Sequence, residues 1–383
     1  MYRVSGWRHS YLSSRHILAP QHNSSWRFDF NQGGPFLNVV WLSSRYLGGD
    51  LSSTTQIQLA NGLVAKGHTV DFYSPGIAEG NDFTHHRIER SAIRGLQSSS
   101  VAKNLQSRVD EFNSADVVLI DWPIFSIAEK IQAPVILIDR SPPADKGILA
   151  KLQWRFWSKA WMKAIRGATV SSAHRRFVAQ ETQTPKASIG VIPAGVDLEL
   201  FRPKQKSGVL KLVYHGRVDV NRGVMSLPMI LAGLQLQGVE ASLHIHGNGD
   251  AINRLKNIDM DGLEVTEAVS QSDVATLLSG YDIGLLPMPE NKVWNLASPL
   301  KRSEYLASGL VVCGIDHGGH QLKDSGEWLQ LFSQKEFITS TVDWIKSLDR
   351  QSLATLQKGA RKYAEENLSW SHSVDVLESI ILS

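Results

Sequence analysis

From Asn38 onward the chain alternates short, wholly apolar runs with longer stretches of mixed polarity. "NVVWLSS" (38–44) predicts a buried strand. "TQIQLANGLVAKG" (55–67), with Ile57, Leu59, Leu63 and Val64 recurring at helical spacing, predicts a helix ended by Gly67, and "HTVDFYSP" (68–75) predicts a second strand. That is one βαβ unit of a parallel sheet. "ADVVLID" (115–121) and "APVILID" (133–139) read as further strands, joined by "FSIAEKI" as a helical link. After "GATVSSAHRRFVAQE" and "SIGVIPAGVD", the stretch "FRPKQKSG" (201–208) reads as a linker, and the alternation restarts. "VLKLVYHG" is a strand, "GVMSLPMILAGLQLQG" a helix interrupted by Pro228, and "ASLHIHGNGD" a strand entering a glycine turn. "LEVTEAV" and "YDIGLLPM" are strands around the helix "SDVATLLSG". "SPLKRSEYLASGLVVCG" (298–314) then sets Lys301, Arg302 and Glu304 in the first turns of a helix that runs into an apolar strand.

Strands alternating with helices twice over predict an α/β protein of two doubly wound domains. The boundaries are 37–200 and 201–370, with a last helix at 371–383 that can pack back on the first domain. Residues 1–36 lack any period and read as a poorly ordered extension. No repeat of fixed period is present.

A length of 383 residues suits two domains of ordinary size, and 42% hydrophobic with 20% charged residues is a globular balance. The net charge of +3 resides in the first 36 residues, where four arginines face Asp29. The balanced remainder argues against a nucleic-acid binder. Cys313 is the sole cysteine, so no internal disulfide forms and a reducing, cytoplasmic setting is expected. No apolar run approaches the length of a membrane span, and the N-terminus shows no secretory signal.

Ligands of open α/β sheets bind beyond the carboxyl ends of the strands. Three loops there carry candidate chemistry. Gly48-Gly49-Asp50 precedes a helix capped by Ser52 or Ser53, and suits either close approach of an anion or a plain tight turn. "HGRVDVNRG" brings Arg217 and Arg222 near one strand end, as a diphosphate grip or as solvated bases. Gly247-Asn248-Gly249-Asp250 begins like a dinucleotide fingerprint, but Ile252 stands at the third glycine position. Asp259-Met260-Asp261 matches a metal-binding DxD, yet its place before "GLEV" predicts a surface turn. The histidines show no metal-ligand spacing, so no metal site is assigned.

"IPAGVDLELFRP", "YHGRVDVNRG", "HIHGNGD", "DIGLLPM", "SPLKRSEYLASGLVV" and "ARKYAEENLSW" fall in an order that resembles the GT-B-fold glycosyltransferases, and is similar to glycosyltransferase family 4 over residues 37–383. "GGDLSSTTQIQLANGLVAKGHTVDFYSP" supplies the N-terminal counterpart. The resemblance implies two Rossmann-like domains facing across a cleft. It implies that Arg217 and Arg222 hold the diphosphate of a nucleotide-sugar donor, with Glu304 on the ribose and the amides near Leu300 and Lys301 on the phosphates. Gly48, Gly49 and Gly249 would lie near the donor. It further implies retaining hexosyl transfer to a hydroxyl acceptor, a glycan or lipid-linked saccharide, without a divalent metal or other cofactor.

Two positions depart from the family. The second glutamate of its pattern falls on Leu296, so Asn295 or Ser298 is left to meet the donor sugar. The family's N-domain histidine is missing, and Asp139 or Arg140 occupies that neighbourhood. Asp139 is the candidate for meeting a sugar hydroxyl or positive charge at the reacting carbon, or else a turn cap; Asp121 is a further candidate. These departures keep a non-catalytic nucleotide-sugar-binding subunit and a GT-B epimerase open as alternatives.

"LAKLQWRFWSKAWMKAIRGA" (149–168) places Trp154, Trp157, Trp161, Ala164 and Ile165 on one helical face and Lys151, Arg155, Lys159, Lys163 and Arg166 on the other. Either the tryptophans pack on the first domain, or the helix rests peripherally on an anionic membrane at the inner face.

Overall fold

The computed structural model describes residues 36–48, 53–78, 80–143, 147–204, 206 and 208–383. The extension read at 1–36 lies, but for Phe36, outside the described residues, as do Gly49, Asp50 and Ser52.

The first half is built on β1 (Asn38–Leu42), α1 (Ser53–Ala65), β2 (Thr69–Ser74), β3 (Thr84–Arg87), α2 (Gln97–Leu105), α3 (Val109–Asn113), β4 (Val117–Asp121), β5 (Val135–Asp139), α4 (Gly147–Lys163), β6 (Gly167–Thr169), α5 (Ser172–Thr182) and β7 (Ile189–Val191). Its strands form a sheet in the order β3-β2-β1-β4-β5-β6-β7, parallel throughout. Continuous apolar runs follow from burial on both faces. Along β1, Val39 and Trp41 join one core with Leu59, Leu63 and Phe72, while Val40 and Leu42 join the other with Phe112, Trp157 and Trp161. The polar strand "THHR" escaped the sequence pattern because β3 is an edge. There His85 meets Ser74 Oγ at 3.0 Å and His86 meets Asp71 at 2.7 Å, and no apolar face is required.

The second half comprises β8 (Leu210–His215), α6 (Leu227–Leu236), β9 (Ala241–His246), α7 (Ile252–Lys256), β10 (Leu263–Thr266), α8 (Gln271–Leu278), β11 (Ile283–Leu286), α9 (Leu300–Ala307), β12 (Val311–Ile315), β13 (Leu329–Phe332), α10 (Phe337–Ser347) and α11 (Arg350–Asn367). Its sheet runs β10-β9-β8-β11-β12-β13, again parallel. Pro228 lies in the first turn of α6, after two short 3-10 turns, and so opens that helix instead of interrupting it. "FSIAEKI" forms part of a 3-10 segment, Trp122–Lys130, not an α-helix; Pro123 opens it.

The chain crosses between the halves twice. Residues 192–197 lead outward, and the return at 368–370 lies beside them, with Val196 N–H donating to Leu368 C=O at 2.7 Å. The last helix, α12 (Trp370–Leu382), capped by Ser369, packs on the first half. Val374, Leu377 and Ile381 enter its core, and Lys66 meets Asp375 at 2.7 Å and Glu378 at 2.6 Å.

Candidate functional site

The loop after β8 is shaped by contacts that glycine permits. Gly223, at φ +74°, lies so close to Pro287 C=O that a Cβ would stand 2.1 Å from that oxygen. This holds Arg222 against the segment after β11, with its guanidinium 3.7 Å from Met288 Sδ and 5.8 Å from the Trp294 ring centre. Arg217 donates to Asp219 through Nε at 3.2 Å and a terminal nitrogen at 2.9 Å, and Arg222 Nε lies 3.7 Å from the same carboxylate. One aspartate thus gathers both arginines, and Arg217 keeps half of its side chain in solvent.

Helix α9 faces that loop. It opens behind Pro299 with no side-chain cap, so the amides of its first turn at Leu300 and Lys301 have no side-chain acceptor. Lys301 reaches under the β8 loop. Its Nζ is buried without a hydrogen-bond partner, 4.1 Å from the Tyr214 ring centre and 3.1 Å from where a Cβ on Gly216 would stand. Burial, and then the charge of Arg222, push its pKa down to about 7, against a smaller upward pull from Glu304. Glu304 is 9% exposed, one turn further along, with Oε2 3.1 Å from His215 Nε2. Arg302 turns away and donates to the carbonyls of Gly319 at 2.7 Å and Gln321 at 3.1 Å, fixing the loop after β12. One helix therefore sends Lys301 and Glu304 to the carboxyl end of β8 and Arg302 to its own scaffold.

His215 was missed in the sequence. It closes β8 directly ahead of Gly216-Arg217, and its backbone N–H donates to Tyr305 Oη at 3.2 Å. A histidine at a strand's carboxyl end beside an arginine was the available signal.

Other positions sit differently from the sequence reading. Ser298 accepts from Ala194 N–H at 3.3 Å, and so serves the crossing segment, as does Ser303, which donates to Ala194 C=O at 3.1 Å. Asn295 Nδ2 donates to Glu290 at 3.3 Å. Gly249 lies against the arginine loop: a Cβ there would stand 2.2 Å from Val218 C=O. Its small size serves loop packing. Gly48, at φ +79°, is exposed beside Ile77 C=O. Asp259 and Asp261 are exposed in the turn before β10.

Asp139 ends β5 with no exposed surface. One oxygen accepts from Trp157 Nε1 at 2.6 Å and Trp161 Nε1 at 2.8 Å, with His174 Nε2 at 3.2 Å. Burial drives its pKa up, but His174 and the two indoles more than offset this and hold it below the usual carboxylate value. Such a carboxylate clamps α4 to the sheet and has no surface to offer a sugar; that is the correction to its sequence-based role. Trp157 and Trp161 are accordingly core, and Trp154 is half-buried against Trp157. Its exposed side carries Lys151, Arg155, Lys159 and Lys163 among Leu152, Phe156 and Met162, while Ile165 is 88% exposed just past the helix end. Asp121 is 2% exposed and accepts from Ser43 Oγ at 2.5 Å and Gln56 Nε2 at 3.1 Å.

The carboxyl ends of the two sheets meet. Ser171, just after β6, donates to Leu296 C=O at 2.9 Å, and Lys292 Nζ stands 4.0 Å from the Trp154 ring centre. Residues 52–200 match the sequence model of Glycosyltransferase Family 4. A glycosyltransferase from Rickettsia africae ESF-5 superposes with a TM-score of 0.71 at 16% identity, covering 91% of this chain and 99% of that one. The chain has the GT-B fold. Two further GT-B structures are similar. WaaG, a glycosyltransferase involved in lipopolysaccharide biosynthesis, gives 0.65 at 15% identity over 89% of this chain and 99% of that one. HepE of Anabaena, in complex with UDP-glucose, gives 0.62 at 13% over 90% and 98%. No curated protein sequence matches significantly. In GT-B terms, the Lys301–Glu304 turn and the Arg217–Arg222 loop lie on the C-terminal domain's side of the cleft. Among the described residues no helix is long and apolar enough to cross a membrane.

Proposed function

We propose that the chain is a retaining hexosyltransferase that moves a sugar from a nucleoside-diphosphate sugar to a hydroxyl acceptor in glycan or glycolipid assembly. The observation that carries this reading is the buried, unpartnered Lys301 ammonium beside an uncapped helix start, with Arg222 and Glu304 at hand. A diphosphate satisfies all the donors, and Glu304 accepts from ribose hydroxyls. In the reaction the acceptor oxygen bonds to the anomeric carbon as the bond to the β-phosphate oxygen breaks. The departing phosphate takes the hydroxyl proton, so no protein base is needed and Asp139 is free for its structural task. Arg217, Arg222, Lys301 and the α9 amides stabilise the charge that develops on the leaving group, and this requires no metal. HepE's complex with UDP-glucose supports such a donor.

The acceptor is proposed to be glycan or lipid-linked, with the protein resting peripherally on the cytoplasmic face of an anionic membrane. The exposed bases and apolar side chains of α4, not its tryptophans, would make that contact. The test is calorimetry against UDP-, GDP- and ADP-sugars, with Glu304→Ala as control, followed by nucleoside diphosphate release with and without a lipid extract. Binding lost in the control, with release that needs the extract, supports the reading. Glu304-dependent binding that never turns over makes the protein a non-catalytic binding subunit.

A further inference from the structure

At the carboxyl edge of the first sheet, the ends of β1, β4 and β5 lie side by side. Three arginines gather there. Arg45 donates to Ser141 Oγ at 3.0 Å, beside Arg140, and Arg90 donates to Ser44 C=O at 3.0 Å, beside Arg45. Among the described residues, Arg140 Nε is buried without a hydrogen-bond partner. The acidic groups that act on Arg140 are Asp121 and Asp139. Asp139 is already committed to His174 and two indoles, and Asp121 to Ser43 and Gln56. Burial pushes the Arg140 pKa down to about 10, with Arg45 adding to the fall. A guanidinium with an N–H buried and unmet is costly unless something anionic arrives. This edge also meets the C-terminal domain, since β6, the neighbour of β5, leads into Ser171 and its bond to Leu296.

We propose that Arg45 and Arg140, with Arg90 behind them, bind an anionic group, a phosphate or carboxylate, carried by a substrate. Calling that anion a substrate's rests on the transferase reading; the site itself does not. Arginine forks match both anions, and two of them give charge and direction together.

The test titrates inorganic phosphate into the full-length protein by calorimetry, with the donor site saturated by whichever of UDP, GDP or ADP binds, or without nucleotide if none does. Arg45→Gln/Arg140→Gln should weaken phosphate about tenfold or more while leaving nucleotide affinity unchanged. Because the Gln pair removes charge next to buried Asp121, Arg45→Lys/Arg140→Lys serves as a second variant that keeps the charge, and it should retain most phosphate binding. Unchanged phosphate affinity in the Gln variant overturns the proposal, as does wild-type protein that binds no phosphate. Two further arms locate the source. Farnesyl phosphate preferred over farnesol places the anion on the acceptor, and a glucuronate donor preferred over its glucose counterpart places it on the transferred sugar. Neither preference overturns the substrate assignment. Failure of the donor reading would instead appear as absent nucleotide binding, with the arginine dependence of phosphate intact.

Discussion

Asp139 and Lys301 both lie buried where a parallel sheet ends, one in each half of the molecule, yet their surroundings are opposite. Around Asp139 the chain supplies two indole N–H groups and an imidazole. Around the Lys301 Nζ it supplies an aromatic face and, among the described residues, no hydrogen-bond partner. Burying a charge with its partners builds a rigid joint, whereas burying one without them leaves free energy to be recovered when a ligand binds. The first half therefore uses its ionisable group for stability, and the second leaves its own unmet, as the proposed donor site would require.

Breaking the joint should have the largest effect. Asp139→Ala strands two indole donors and His174, and is expected to cost about 3–5 kcal/mol in urea unfolding, as for other broken buried pairs. Donor affinity of the protein that remains folded should hardly move. A large change in affinity with little loss of stability would reverse the roles assigned to the two sites.

Glu304→Ala comes next. Loss of a charged hydrogen bond of about 1.5–3 kcal/mol predicts roughly a tenfold to hundredfold weaker donor in calorimetry. Lys301→Met sharpens the comparison, because it should weaken the donor about tenfold while stability holds or rises. Stability falling along with affinity would show that Lys301, like Asp139, is a structural group.

A smaller effect should appear with pH. The folded pKa of Lys301 lies at about 7 against an unfolded 10.5, so across that window the unfolded chain holds a proton the folded one lacks. This group's contribution to stability therefore rises with pH from about 7 to 10.5 and is flat below. Donor affinity should run the other way, weakening above pH 7, because the diphosphate needs the ammonium. Calorimetry in buffers of differing ionisation enthalpy should detect proton uptake on binding, and Lys301→Met should abolish it.

The mildest change concerns α4. Lys159→Glu with Lys163→Glu should reduce sedimentation with anionic vesicles, each lysine contributing about 1 kcal/mol near such a surface. Substituting Leu152 and Phe156 should act in the same direction, and unchanged binding would confine α4 to its clamp with Asp139.

Much of this was legible beforehand. Two runs of alternating strand and helix declare two doubly wound sheets, because strands buried on both faces must be apolar throughout. Arg217 and Arg222 could be singled out as candidates because loop chemistry follows strand ends, and Glu304 through the resemblance to glycosyltransferase family 4. What the pattern could not carry was direction. Asp139 and Arg140 adjoin at the end of one strand, yet one turns inward to Trp157 and Trp161 while the other leaves its Nε without a partner. Likewise Lys301 and Arg302 adjoin on one helix and part company at once. Such choices depend on residues far away in the chain, and β3 stayed hidden because an edge strand needs no apolar face.

The return of α12 to the first half bears on how the protein is made. Val374, Leu377 and Ile381 complete a core whose other members begin at Val39, and Lys66 waits for Asp375 and Glu378. On the ribosome, the half synthesised first thus stays open along the flank of α1 until the final 13-residue helix emerges. The half synthesised second, with its own core, has only α11 to await. Order of synthesis and order of completion are therefore inverted, and a chain stopped after Asn367 would bear its defect at the opposite end from the cut.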